Sequence, residues 1–246
     1  MIRMIKIITS ISSPPVFYSF ASKFHVHLGI LGLLLLCFSL IYAVFFTPPD
    51  AQQGEVYKVI YVHVPAAWMS MFLYLIASAY AIIFWVWRTD VSAVMLRAIL
   101  PTGACMTVIA LISGSLWGKP TWGTYWVWDA RLTTELLLLF IYLGLIATGN
   151  LIEDEHKTDK ALSIMTVFGI FNIPLIYFSV VFWNTLHQGF SVGVTDAVMS
   201  FQVKASLFFC TLSFWLICSS ITLLRAKGMI ISRHINSQWP LKFLKD

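Results

Sequence analysis

The sequence predicts an all-α polytopic membrane protein with six transmembrane helices and both termini cytoplasmic. Three observations carry this reading: the scarcity of charge, its spacing, and the uneven distribution of basic residues. Only 11% of the 246 residues are charged, against roughly 25% in an average soluble domain. Mean hydropathy is +0.83, and 59% hydrophobic residues leave too little polar cover for a water-facing surface. The same composition excludes a disordered chain. The charges leave six long uncharged stretches, 24–49, 59–87, 98–118, 136–152, 161–195 and 205–224. A hydrocarbon core about 30 Å thick needs about 20 residues of helix, so each stretch accommodates one span.

In chain order, the first span covers 27–46. A lead-in, 1–24, precedes it and has no clean apolar core before a small-residue cleavage site, so this span serves as an uncleaved insertion signal. Ser12-Ser13-Pro14-Pro15 suggests that the lead-in is irregular or interfacial. The second and third spans fall at 65–86 and 97–116. The fourth, 131–149, borrows residues from its flanks, and Asp129 just ahead of it is a good N-cap. The fifth, 162–182, ends near Trp183 because Asn184-Thr185-Leu186-His187-Gln188-Gly189 is polar and contains glycine. Pro174 inside it lacks a donor and predicts a kink. The sixth covers 203–224. A short basic tail, 226–246, follows and is suited to anionic headgroups. The membrane domain is thus 25–225. Period-2 alternation is absent, which argues against a transmembrane barrel.

An even number of spans puts both termini on one side. Twelve Lys and Arg fall on that side, and only Lys58, Lys119, Arg131 and Lys204 on the other, which orients the termini to the cytoplasm. Cys37, Cys105, Cys210 and Cys218 all lie within spans without metal or redox spacing and read as packing residues. No phosphate loop and no nucleic-acid footprint is present, since topology accounts for the basic residues.

Outside the membrane, the segment 117–129 concentrates Trp117, Trp122, Trp126, Trp128 and Tyr125. An interfacial aromatic belt is one reading. A surface for a large, flat, partly apolar ligand is the sharper one, because indole faces stack and bury area. Of six histidines, only His63 and His187 share that side. Neutral imidazoles ligate iron, and a haem takes one axial ligand on each face. Lys58, Lys119 and Arg131 are the cations available for its propionates. Zinc is the weaker alternative, with two histidines and Asp129 short of four ligands. Arg131 and Glu135 are four apart and can pair. Glu135 at membrane depth calls for a partner or a water-filled cavity.

Trp117-Gly118-Lys119-Pro120-Thr121-Trp122-Gly123-Thr124-Tyr125-Trp126-Val127-Trp128-Asp129, continuing through Ala130-Arg131-Leu132-Thr133, resembles the tryptophan-rich WWD motif of bacterial haem-handling membrane proteins. Tyr61-Val62-His63-Val64-Pro65-Ala66-Ala67-Trp68 resembles the block around the first haem-ligand histidine of the haem exporter protein C (CcmC) family of the system I cytochrome c maturation pathway. His187 matches the position of that branch's second histidine. The resemblance spans about residues 25 to 225, and the His63 block with six spans makes it specific within the superfamily. It implies haem b bound on the periplasmic side, with His63 and His187 as axial ligands. Trp117, Trp122, Trp126, Trp128, Asp129 and Arg131 form the rest of the expected site. It further implies delivery of haem to a periplasmic haem chaperone (CcmE), alongside an ATP-binding transporter pair (CcmA, CcmB) and a small membrane subunit (CcmD). The chain itself is then not an enzyme. The implied location is the bacterial inner membrane, with the mitochondrial inner membrane as the alternative. Two rival readings remain: a transporter or channel using Glu135 without haem, and a structural assembly subunit.

Overall fold

A computed structural model describes residues 13–183 and 199–243. Among these, seven α-helices run in the order α1 Pro14–Phe46, α2 Ile60–Trp87, α3 Asp90–Trp122, α4 Ala130–Leu151, α5 Glu155–Gly169, α6 Asn172–Phe182 and α7 Phe201–Arg233. Short 3₁₀ turns lie at Glu55–Val59 and Pro240–Lys242. With α5 and α6 forming one span in two pieces, six segments are long and apolar enough to cross a membrane.

The helices outrun the expected spans. A 33-residue helix is about 50 Å long, well beyond a hydrocarbon core of about 30 Å. Hydrophobicity marks only the part inside the lipid. Of the stretch Ser12-Ser13-Pro14-Pro15, expected to be irregular or interfacial, Pro14 and Pro15 are helical because α1 begins at Pro14, and Ser12 lies outside the described residues. Proline is tolerated in a first turn, where its missing N–H would have no partner anyway. Likewise, α7 continues to Arg233, so the start of the basic tail is folded helix with Ala226 and Ile230 buried. Trp239 then packs against Tyr18 at the start of α1, with ring centroids 6.0 Å apart.

Because the helices are apolar on every side, small and hydroxyl residues decide which faces pack. On α2 the buried face includes Ala66, Ser70, Ala77, Ser78 and Ala81. α1 lies along α7, where Gly32 meets Ile217 and the Ser220 hydroxyl donates to the His25 carbonyl at 2.7 Å. Between α2 and α4, the Tyr142 hydroxyl donates to the Ser70 carbonyl at 2.8 Å. The Tyr74 hydroxyl donates to the Thr166 carbonyl on α5 at 3.1 Å.

The fifth span breaks at Ile170 and Phe171. Pro174 lacks the N–H that would bond the Ile170 carbonyl. That carbonyl instead accepts from Ile173 N at 3.0 Å, and Ile170 N donates to the Val167 carbonyl at 3.3 Å. The expected kink is therefore a separation into two helices, four residues before the proline. Asn172 ties the start of α6 to α4, its Nδ2 donating to the Thr134 carbonyl at 2.9 Å.

At the end of the bundle opposite Trp122, an ion cluster joins α3, α5 and α7. Asp159, 1% exposed, takes Arg97 at 2.6 Å and also pairs with Arg233. Arg233 further reaches Glu155 at 3.1 Å and Asp90 at 3.3 Å.

Candidate functional site

The aromatic segment 117–129 is not a continuous loop, because α3 runs through its first six residues to Trp122. Gly123 ends the helix in the left-handed region, at φ 81°, with its N–H donating to the Lys119 carbonyl at 3.0 Å. That conformation suits glycine. Gly114, Trp117 and Thr121 consequently share one helical face, at i, i+3 and i+7. All three line a cavity of about 840 Å³.

Besides α3, its walls come from four other helices, with Trp68 and Phe72 on α2, Arg131 on α4, Tyr177 and Phe178 on α6, and Trp215 on α7. The lining on α2 runs from Ile60 to Leu75, roughly 22 Å at 1.5 Å per residue. The lining is dominantly apolar and aromatic, and the volume falls in the range of small-molecule sites. Polar groups enter at the tryptophan end. There Trp117 Nε1 donates to Gln53 Oε1 at 2.7 Å, and Arg131 and His63 both line the wall.

His63 is held by α3. Its Nδ1 lies 3.1 Å from the Ala110 carbonyl and 3.1 Å from Ser113 Oγ. The indole of Trp117 meets its ring edge-on at 5.6 Å. Asp129 caps α4, Oδ1 accepting from Leu132 N at 2.8 Å. That cap sets where the extended chain enters α4, and so where Arg131 stands. Arg131 also lines a second, smaller space of about 30 Å³ with His63 and Glu135. Glu135 is 8% exposed and accepts from the Ser70 hydroxyl at 2.7 Å. The buried carboxylate thus has the local partners that its depth requires.

The expected site residues separate into groups. His63, Trp117, Trp122 and Arg131 converge on the cavity. Trp126 and Trp128 pack edge-on at 5.4 Å outside the lining, with Trp128 76% exposed. Among the three cations considered for propionates, Lys58 donates to the Val44 carbonyl at 2.6 Å and pairs with Glu55 at 2.7 Å. Lys119 donates to the Gly123 carbonyl at 3.0 Å. Only Arg131 of the three lines the cavity. His187 lies outside the described residues. Among the described residues, no three His, Cys, Asp or Glu side chains converge as a metal-ligand set. Gln53, Ser113 and Gly114 escaped the sequence reading. Gly114, isolated in an apolar helix between two serines, was the available signal.

Fold and cavity together define a multi-pass helical membrane protein whose bundle holds an aromatic, histidine-bearing cavity. A family model described as "Heme exporter protein C" matches residues 7–241. The chain is 39% identical over 238 residues to the heme exporter protein C of Escherichia coli (strain K12), covering 96% of each. It is 37% identical over 230 residues to that of Bradyrhizobium diazoefficiens, covering 92% of this chain and 86% of the relative. Against that of Haemophilus influenzae it is 34% identical over 229 residues, 93% of each. The chain belongs to the haem exporter protein C family. It is a non-catalytic, haem-handling subunit of cytochrome c maturation, multi-pass in the bacterial inner membrane.

Proposed function

We propose that the chain holds haem b at the periplasmic end of its bundle, between His63 and His187, and presents it to the haem chaperone CcmE. The observation that supports this most is a histidine whose Nδ1 is already committed to α3, on the wall of an aromatic cavity large enough for a porphyrin. When bound, haem b would supply an iron that the imidazole nitrogens of His63 and His187 would ligate. The chain's own residues do the rest. His63 offers Nε2, the ring nitrogen left with the lone pair when Nδ1 donates its proton to a carbonyl. Trp117 and Trp122 give apolar faces and exclude water. Arg131 offers a fork suited to a carboxylate.

The 12-to-4 bias of basic residues supports a cytoplasmic location for both termini and a periplasmic one for the cavity mouth. Exposed Trp128 stands outside the cavity and is suited to meet the chaperone. The ATP-binding pair CcmA and CcmB and the small subunit CcmD complete the assembly, with ATP hydrolysis in the partner, since this sequence has no phosphate loop. The optical spectrum of detergent-purified protein tests the reading. A haem b Soret and α-band signal that loses its ligation signature in His63→Ala and in His187→Ala is expected. A folded protein that takes up no haem would overturn it.

A further inference from the structure

We infer that Ser113 and Gly114 on α3 are positioning residues, which preset the tautomer and rotamer of His63 before haem arrives. A carbonyl can only accept, so the 3.1 Å contact with the Ala110 carbonyl requires the proton on Nδ1. Ser113 donates its own proton to the Ile109 carbonyl at 2.6 Å. A lone pair on Ser113 Oγ therefore faces Nδ1 at 3.1 Å as a second acceptor. Two acceptors on one N–H fix the ring about its long axis and leave the lone pair on Nε2. A hydrogen bond of this kind also raises the basicity of the ligating nitrogen.

Gly114 makes the approach possible. A Cβ at this position would stand 2.9 Å from His63 Cε1, closer than side chains tolerate. Glycine inside a helix otherwise weakens it relative to alanine, so its cost to α3 is matched by the space it leaves for the imidazole. Gly114 also lines both the large cavity and the small one, so the ring lies against the wall between them. The inference rests on the reading of His63 as an iron ligand, but the tautomer is a property of the chain alone.

The test uses the full chain in detergent. Nitrogen-15 histidine spectra of the haem-free protein read the tautomer, with the His63 signals assigned by their loss in His63→Ala. Haem titration and the reduction potential of the bound iron read the consequence. Wild type is expected to show Nδ1–H. Ser113→Ala is expected to weaken haem binding about tenfold, the low end for outer-sphere partners of metal ligands, and to raise the potential, while Ser113→Thr restores both. Gly114→Ala improves helix propensity and should keep the unfolding temperature, yet lose at least about tenfold in haem affinity.

Ser113→Ala and Gly114→Ala titrating like wild type, while His63→Ala does not bind, would overturn the inference. Should His63→Ala retain wild-type ligation, the haem reading fails separately, and the nitrogen spectra decide. Nδ1–H in wild type whose Nδ1 shift moves in Ser113→Ala, where the Ala110 carbonyl remains as the single acceptor, supports the preset ring. Nε2–H in wild type, or a spectrum unchanged in Ser113→Ala, overturns it.

Discussion

Trp122 and Trp128 stand six positions apart in one motif and differ in what they can do. Trp122 lines the cavity, whereas Trp128 is outside the lining and is 76% exposed. Trp122→Ala is therefore expected to lose about 1.5 kcal/mol of haem binding, about tenfold. Trp128→Ala should titrate nearly as wild type, and spectral titration of both variants checks the contrast. Asp129 separates a cap from a charge. Asp129→Ala removes the acceptor for Leu132 N and should cost about 1 kcal/mol of stability, while Asp129→Asn, also a good cap, should retain it. Thermal unfolding in detergent distinguishes the two. Asp154 caps α5 in the same way, and the Lys157 backbone N–H holds its carboxyl below its ordinary value of 3.8. A depressed folded value means its contribution is present above that ordinary value and fades as pH falls through the folded one. Asp154→Asn should therefore flatten the acid side of the stability profile.

At the scale of the element, glycines show what helical periodicity leaves out. A Cβ at Gly103 would collide with the Tyr142 ring, whereas one at Gly144 meets nothing within 4 Å. Gly103→Ala should destabilise by about 1–3 kcal/mol through overpacking. Gly144→Ala should gain about 0.5–1 kcal/mol in helix propensity. Unfolding midpoints of the two variants would expose an error in either direction. The divided fifth span offers a milder case. Asn172→Leu removes the bond to the Thr134 carbonyl and should cost about 0.6 kcal/mol, the average for interhelical hydrogen bonds in membranes. The existence of this span was legible because bulk hydrophobicity suffices to place a helix in lipid. The position of its break was not, because it lies at the carbonyl that Pro174 cannot serve.

For the whole molecule, Asp159 joins the ends of three helices through Arg97 and Arg233. Its removal would leave two guanidinium groups without their buried partner, and Asp159→Ala is expected to cost about 3 kcal/mol. A melting temperature equal to wild type would show that the cluster does not hold the helices together. Sequence charge counts treat these residues as markers of a membrane side, which is all that one-dimensional spacing can reveal. Pairing among Asp90, Arg97, Asp159 and Arg233 joins positions more than 140 residues apart, and only folding brings them within reach.

By itself, the sequence determined the membrane class, the six spans, the family and the narrow set of aromatic and histidine residues worth attention. Those properties depend on composition and local spacing, which survive without a fold. Tertiary structure decided that α3 carries Trp117 and Trp122 into a cavity wall, and that Arg131 reaches it while Lys58 and Lys119 bond elsewhere. It also decided that Gly114 admits the His63 ring. When every helix face is apolar, hydrophobicity cannot choose a partner. Close approach at small residues and the satisfaction of a few polar groups make that choice, and both are properties of the packed bundle.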